Sequence, residues 1–195
     1  MQLVLASGNS GKIREFKQLL GDEIKAFSEL MEAFEIIEDG DTFAENALIK
    51  ARAIYEKLGE SYLVISDDSG ISVPLLGHAP GIYSARYAGE DATAQQNLDK
   101  LIKEVGKQTD RTPAYYTAAI AIISKYGEYV VHGWMHGDVI AEARGSNGFG
   151  YDPMFIPEGY TQTLAELGDE VKAGISHRHK ALALAVPIIQ MLETK

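Results

Sequence analysis

The chain has 195 residues, 46% of them hydrophobic and 24% charged, which is the composition of a globular protein with its own core and excludes a disordered chain or a miniature scaffold stapled by disulfides or metal. Lys and Arg number 18 against 28 Asp and Glu, a formal net charge of −10, which argues against nucleic-acid and membrane partners yet leaves room for a small anionic ligand held by a few focused cations or a divalent metal. The lack of cysteine removes disulfides, thiolate catalysis and Cys-ligated zinc, and with no basic leader and no run of about 18 apolar residues the sequence predicts a soluble cytoplasmic protein.

In chain order, residues 2–6 predict a strand and Ser7 to Gly11 a glycine-bearing turn. Residues 12–20, apolar at Ile13, Phe16, Leu19 and Leu20, predict an amphipathic helix that stops near Gly21. A short strand is expected at 34–37, followed by the turn Glu38-Asp39-Gly40-Asp41. Thr42 and Glu45 then match a capping box, opening a helix whose apolar face is Phe43, Ala47, Ala51, Ile54 and Leu58 and which ends at Gly59. Residues 62–66 form a continuous apolar strand that runs into Asp67-Asp68-Ser69-Gly70, where Gly70 suggests a turn. The Gly- and Pro-punctuated stretch 74–89 predicts a long ordered loop, and residues 93–105 a helix opened by Thr93. Residues 114–124 and 129–140, rich in Tyr, Val and Ile, predict a long β-hairpin. A second glycine-rich loop covers 145–153, and a final helix starts after Ser176 and is kinked before Pro187. Helices interleaved with strands, plus one antiparallel hairpin, imply an α/β fold with a mixed sheet, in a single domain over 1–195.

Five segments carry residues suited to chemistry. Ser7, Gly8, Asn9, Ser10, Gly11 and Lys12 lie between a strand and a helix N-terminus, where free N–H groups and the helix dipole favour phosphate. The loop is too short for a Walker A motif, and Ile13 stands where its hydroxyl residue would be. Asp67 and Asp68 end a buried strand, where two carboxylates are costly unless they bind metal or find donors. Adjacent strand residues face opposite ways, so at most one of them points straight into a given site. Asp68 is the candidate metal ligand or general base, and Asp67 its supporting partner. Glu45 has a sufficient structural role in its capping box, whereas Glu38 has none. Asn46 and Lys50 sit one helical turn apart and off the apolar face, so Lys50 could reach a phosphate.

His177, Arg178, His179 and Lys180 crowd positive charge into a first helical turn that favours acids, with Lys172 just before them, so a negative or oxygen-bearing ligand is expected to compensate. His177 and His179, two apart, do not converge on a metal. Phe149, Gly150, Tyr151 and Asp152 put an aromatic ring, a permissive backbone and a carboxylate in one turn, where a flat base could stack on Phe149.

Taken together and in order, Ala6 to Lys12, Thr42 to Ala47, Asp67 to Gly70, Pro80 to Arg86, Gly148 to Pro153 and Ile175 to Arg178 resemble the inosine triphosphate pyrophosphatase family, the house-cleaning enzymes that hydrolyse deaminated purine nucleoside triphosphates. Ser7 often appears as Thr in that family, which keeps the hydroxyl, and Ser146-Asn147 replaces a commoner Thr-Gly. The resemblance implies an elongated mixed sheet with flanking helices, in two lobes around a central cleft, and a homodimer. It implies that Ser7, Asn9 and Lys12 bind the triphosphate, that Lys50 reaches phosphate, and that Glu38 and Asp68 hold Mg²⁺. Asp68 would also accept the proton of the attacking water, making Asp68, Lys12 and Asp67 the catalytic set. Ser69, Phe149, Gly150, Tyr151, Asp152, Lys172, His177 and Arg178 would line the nucleotide site. Hypoxanthine and xanthine present O6 as an acceptor where adenine presents an amino group, and Arg178, a donor only, is expected to favour the oxo group. Exclusion of GTP requires a separate block at its 2-amino group. Two other readings stay open: a nucleotide-binding sensor without turnover, and a pyrophosphatase for modified pyrimidine or methylated nucleotides.

Overall fold

The computed structural model describes residues 1–21 and 23–194, with the backbone alone for Ser10, Leu19 and Asp169. The expected apolar contact of Leu19 and ligand contact of the Ser10 side chain therefore lie outside the described residues. The elements run β1 (Gln2–Leu5), α1 (Ser10–Leu20), β2 (Lys25–Ala26), α2 (Phe43–Leu58), β3 (Tyr62–Ser72), α3 (Ala94–Gly106), β4 (Arg111–Ser124), β5 (Gly127–Ile140), β6 (Phe155–Pro157), α4 (Asp169–Ile175) and α5 (His177–Glu193). The strands form one mixed sheet in the order β2-β1-β3-β4-β5-β6. β1 is parallel to both β2 and β3, while β6 is antiparallel to β5. The expected α/β class with a mixed sheet is what the chain adopts.

The chain divides into two compact units, one made of Met1–Asp68, Ala118–Gly133 and Arg178–Lys195, the other of Ser69–Thr117 and Trp134–His177. In the first, side-chain alternation builds a core on each face of the strands. Leu5, Leu63, Ile65, Ala118, Ile120 and Ile122 pack with Phe16 of α1 and with Ala181, Leu182, Ala185 and Ile189 of α5. The intervening residues Val4, Val64, Ala119, Ala121 and Ile123 pack with Ala47, Ala51 and Ile54 of α2. Because both faces are covered, residues 62–66 read as a continuous apolar run instead of an alternating one. In the second unit, Leu98, Leu101 and Val105 of α3 pack with Tyr116, Met135, Val139 and Phe155.

Several boundaries differ from expectation. No strand forms at 34–37; β1 takes Lys25 and Ala26 as its neighbour on that side. Phe34 and Ile36 instead pack against the α2 core, and Ile37 is 72% exposed. β3 does not turn at Gly70 but continues to Ser72, with Ile71 buried and its N–H donating to Ser84 Oγ at 3.0 Å. The 74–89 stretch contains two short 3-10 helices, Pro74–Leu76 and Gly81–Arg86. Asn97 of α3 fastens its end, accepting from Ala88 N–H at 2.7 Å and donating to the Ala85 carbonyl at 3.0 Å. α4 and β6 were not expected from the sequence pattern; both are short, seven and three residues. α5 retains Pro187 in its interior.

Gly137 on β5 lies opposite Pro157 on β6, and a Cβ there would come 2.2 Å from the Ile156 carbonyl oxygen and 2.8 Å from the Phe155 ring. Gly137→Ala is therefore expected to cost about 1–3 kcal/mol of stability by forcing β6 away from β5. Urea unfolding measures this, and an unchanged midpoint would contradict the close approach.

Candidate active site

The alternation that builds the two cores continues through Asp67 and Asp68. Asp67 follows Leu63 and Ile65 onto the α1 and α5 face. There Lys12 Nζ lies 2.6 Å from Asp67 Oδ2 and also donates to the Asp67 carbonyl at 3.2 Å. Arg178, at the start of α5, places Nε 3.4 Å from the same Oδ2, and its Nη1 donates to the Glu15 carboxylate. Asp67 is wholly buried and Arg178 nearly so. Burial works to raise the Asp67 pKa, but the charges of Arg178 and Lys12 outweigh it and hold the carboxyl well below the usual carboxylate range. The positive charge at the start of α5 thus meets the protein's own carboxylates, Asp67 and Glu15, where a negative or oxygen-bearing ligand was expected to compensate it.

Asp68 points to the α2 face, as does Ser66, whose hydroxyl donates to the Ala47 carbonyl at 2.5 Å. Lys50 of α2 sets its ammonium between two carboxylates, 3.2 Å from Asp68 Oδ1 and 2.6 Å from Glu38 Oε2. Lys50 is accordingly no free surface lysine. Burial raises the Asp68 pKa; Lys50 and Lys12 oppose this, Glu38 and Asp67 reinforce it, and the carboxyl ends above its ordinary value. Burial disfavours the Lys50 ammonium, but Asp68 and Glu38 more than offset that and raise its pKa.

Glu38 owes its place to a turn docked on the start of α2. Gly40 N–H donates to Asn46 Oδ1 at 2.9 Å, and a Cβ at Gly40 would lie 2.7 Å from Glu45 Cβ and 2.8 Å from that amide oxygen. Asn46 is buried, correcting its expected position off the packed side of the helix. Thr42 caps α2 through Glu45 N–H at 3.1 Å, while Glu45 Oε2 accepts from Asp41 N–H at 2.8 Å, one residue before the donor that a capping box uses.

Asp68 Oδ2 is buried and has no hydrogen-bond partner among the described residues. With Glu38 it offers hard oxygen donors that suit a divalent cation such as magnesium, which binds through one or two carboxylates and completes its shell with water and phosphate. Among the described residues no group of three or more His, Asp or Glu is placed to hold a metal by itself. The donor set fits a metal that arrives with an anionic ligand.

At the start of α1, Asn9 is the N-cap; its Oδ1 accepts from the N–H groups of Gly11 at 2.9 Å and Lys12 at 3.1 Å. Ser7 Oγ accepts from Asn9 N–H at 3.2 Å. Asn9 thus performs the capping job at a helix start where a phosphate contact was expected, while Gly8 is exposed with open space around it.

In the second unit, Lys172 of α4 donates to Asp152 Oδ2 at 2.5 Å and sits 4.4 Å above the Phe149 ring. Asp152 Oδ2 also accepts from Phe149 N–H at 2.9 Å. Gly148, at φ +79°, leaves room for that carboxylate, which a Cβ would meet at 2.2 Å. Phe149 is 47% exposed, so its ring is available for stacking. Gly150 is also in the left-handed region, at φ +62°. Tyr151, expected among the ligand-lining residues, has its ring in the buried core, and its hydroxyl donates to the Ser84 carbonyl at 2.7 Å, so its side chain anchors the loop. His177 stacks on Tyr116, ring centroids 4.8 Å apart and 13° between planes. Ser69 lies within β3 and is partly buried.

Glu15, Tyr116 and Ser84 escaped the sequence reading. Glu15 stands one helical turn after Lys12, a spacing that places both on one side of α1. Tyr116 carried no local signal, and Ser84, although within the 80–86 segment that carries the resemblance, showed no local sign of its contacts.

The model of the Ham1 family matches residues 3–188. A protein of Sulfurovum sp. named dITP/XTP pyrophosphatase is 66% identical, over 100% of this chain and 96% of its own length. One of the same name from Sulfurimonas denitrificans is 58% identical, over 98% of this chain and 100% of its own. The solved structure of the Staphylococcus aureus Ham1 protein superposes with a TM-score of 0.88 at 39% identity, covering 97% of this chain and 98% of that one.

Because the Asp67 carboxyl is more acidic folded than unfolded, its contribution to stability is complete above the unfolded value of about 3.9 and is lost as pH falls through the lower, folded value. Asp67→Asn leaves Lys12 and Arg178 facing an uncharged amide and is expected to cost about 3–5 kcal/mol at neutral pH. Melting curves between neutral and strongly acid pH should show wild type and variant converging as pH falls. A constant gap across that range would contradict the clamp.

Proposed function

The chain belongs to the Ham1 family, and from that premise we propose that it is a nucleoside triphosphate pyrophosphatase that hydrolyses the non-standard purine nucleotides ITP, dITP and XTP to the nucleoside monophosphate and pyrophosphate, keeping them out of DNA and RNA. The observation that carries the reading is the set of cations and carboxylates gathered at β3: Lys12 and Arg178 on Asp67, and Lys50 between Asp68 and Glu38. An acidic chain with this focused charge can take a polyphosphate. The names of the relatives support purine triphosphates as the substrate class.

In this reading Lys12, Lys50 and the Ser7 to Gly11 loop bind the triphosphate. Water attacks the α-phosphorus in line: its oxygen forms the new P–O bond, the α–β bridging P–O bond breaks, and pyrophosphate leaves. Asp68 takes the proton of that water at Oδ2, the oxygen with no hydrogen-bond partner among the described residues. Burial, which raises its pKa, favours the protonated form and so suits it to accept that proton. Mg²⁺, held by Glu38 and Asp68, supplies positive charge to the polyphosphate when bound. Asp67, permanently charged, orients Lys12 and Arg178. For the base we propose stacking on Phe149, whose ring Lys172 and Asp152 steady, with Ser69, Gly150 and His177 in the same nucleotide site. Arg178 has several N–H donors, so pairing with two carboxylates is compatible with donation to O6. We further propose a cytoplasmic homodimer. No helix among the described residues is long and apolar enough to cross a membrane.

Turnover of ITP, XTP, GTP, ATP and modified pyrimidine triphosphates with Mg²⁺, measuring pyrophosphate and orthophosphate separately, tests the assignment. ITP and XTP should lead and release pyrophosphate. Preference for a modified pyrimidine would redirect the substrate class, and an inert protein that still binds ITP would be a sensor. Asp68→Asn is expected to lower kcat by about 10²–10⁴ while ITP binding is retained.

Phe149→Ala should weaken nucleotide binding by about 1–3 kcal/mol, the worth of one stacked base, and act mainly on KM. An unchanged KM would remove Phe149 from the site.

A further inference from the structure

The ammonium of Lys50 lies where the two carboxylates offered for the metal converge, 2.6 Å from Glu38 Oε2 and 3.2 Å from Asp68 Oδ1. Its side chain is only 12% exposed, so it is packed into this position and not loosely paired at the surface. Both anchors are firm: Lys50 projects from the middle of α2, and the turn bearing Glu38 is pinned to the start of that helix through Gly40 and Asn46. A divalent cation approaching the same oxygens meets a like charge a few ångströms away, a repulsion that is large at the dielectric of a partly buried site. A bound polyphosphate reverses the balance, because it gives the ammonium a second anion to pair with and adds its own oxygens to the metal's shell.

We propose that Lys50 is a built-in counter-ion that closes the Glu38–Asp68 pair to a free divalent cation and yields it to the metal–nucleotide complex, so that metal and nucleotide enter together. This rests on the reading of Glu38 and Asp68 as the metal-holding pair. It assigns Lys50 a role in metal selectivity and binding order in addition to phosphate contact.

The test is binding of Mn²⁺ to the full-length, nucleotide-free protein, followed by loss of the free-ion electron paramagnetic resonance signal. Wild type should bind weakly. Lys50→Met should bind Mn²⁺ about tenfold or more tightly, because a like charge has gone. Lys50→Gln is a milder change that also removes the charge and should do the same, and it serves if the Met variant does not fold. Lys50→Arg should stay as weak as wild type, and Glu38→Gln added to Lys50→Met should abolish the gain. For the wild type, a non-hydrolysable ITP analogue should produce tight Mn²⁺ binding, beyond the Mn²⁺ that the analogue alone takes up without protein. If neither uncharged variant binds Mn²⁺ more tightly than wild type, or if wild type binds it equally well with and without the analogue, the proposal fails. Turnover of ITP by wild type is scored separately: active wild type with no gain in the variants sinks this inference alone, while a gain in the variants with inert wild type sinks the enzymatic assignment alone.

Discussion

A carboxylate with no access to water must find positive charge inside the protein, and Asp67 is the point on which the first unit's chemistry turns. Its partners come from opposite ends of the chain: Lys12 from the first helix and Arg178 from the last. Neither helix can shift without uncovering a buried charge, a far larger penalty than the loss of any one apolar contact in the cluster around Phe16 and Leu182. The clamp therefore does two things at once. It fixes how α1 and α5 meet β3, and it delivers two cations in defined positions.

Consecutive residues of a strand look in opposite directions, and this simple geometry divides the labour. Asp67 meets two cations and is driven far below the ordinary carboxylate range; Asp68, facing the other way, shares one ammonium with Glu38 and is pushed above it. Two chemically identical side chains thus sit in opposite electrostatic surroundings, one held as the carboxylate and the other shifted toward its protonated form. In the second unit the same economy appears around Asp152, which holds Lys172 and the Phe149 amide with one oxygen and so ties a cation to an aromatic ring.

How much of this was legible follows from where each signal lies. The strands over 2–6 and 62–66, the helix over 43–58 and the hairpin declared themselves because local periodicity and capping residues agree with the packing. Residues 34–37 misled because Phe34 and Ile36 place their apolar side chains against the α2 core without pairing into the sheet. Gly70 misled because Lys12, Arg178 and Lys50 pair the aspartates before it and β3 runs on through it to Ser72. Among the site residues, Lys12, Asp67, Asp68, Lys172 and Phe149 stood out by type and position. What no local pattern could give was pairing: that Glu15 faces Arg178, that Lys50 joins Glu38 to Asp68, that Asn9 caps its own helix, or that Tyr151 turns inward to Ser84.

The alignment of β3 with β1, Gln2 across from Tyr62 and Leu5 across from Ile65, has a consequence for how such a chain can change over time. Adding or deleting a single residue between Tyr62 and Asp67 would rotate everything after it by half a turn, exchanging the two aspartates between their cation sets and leaving each in the wrong surroundings. The spacing along this strand is therefore under as much constraint as the identity of the acids it carries, and sequence drift there must proceed by substitution, never by a change in length.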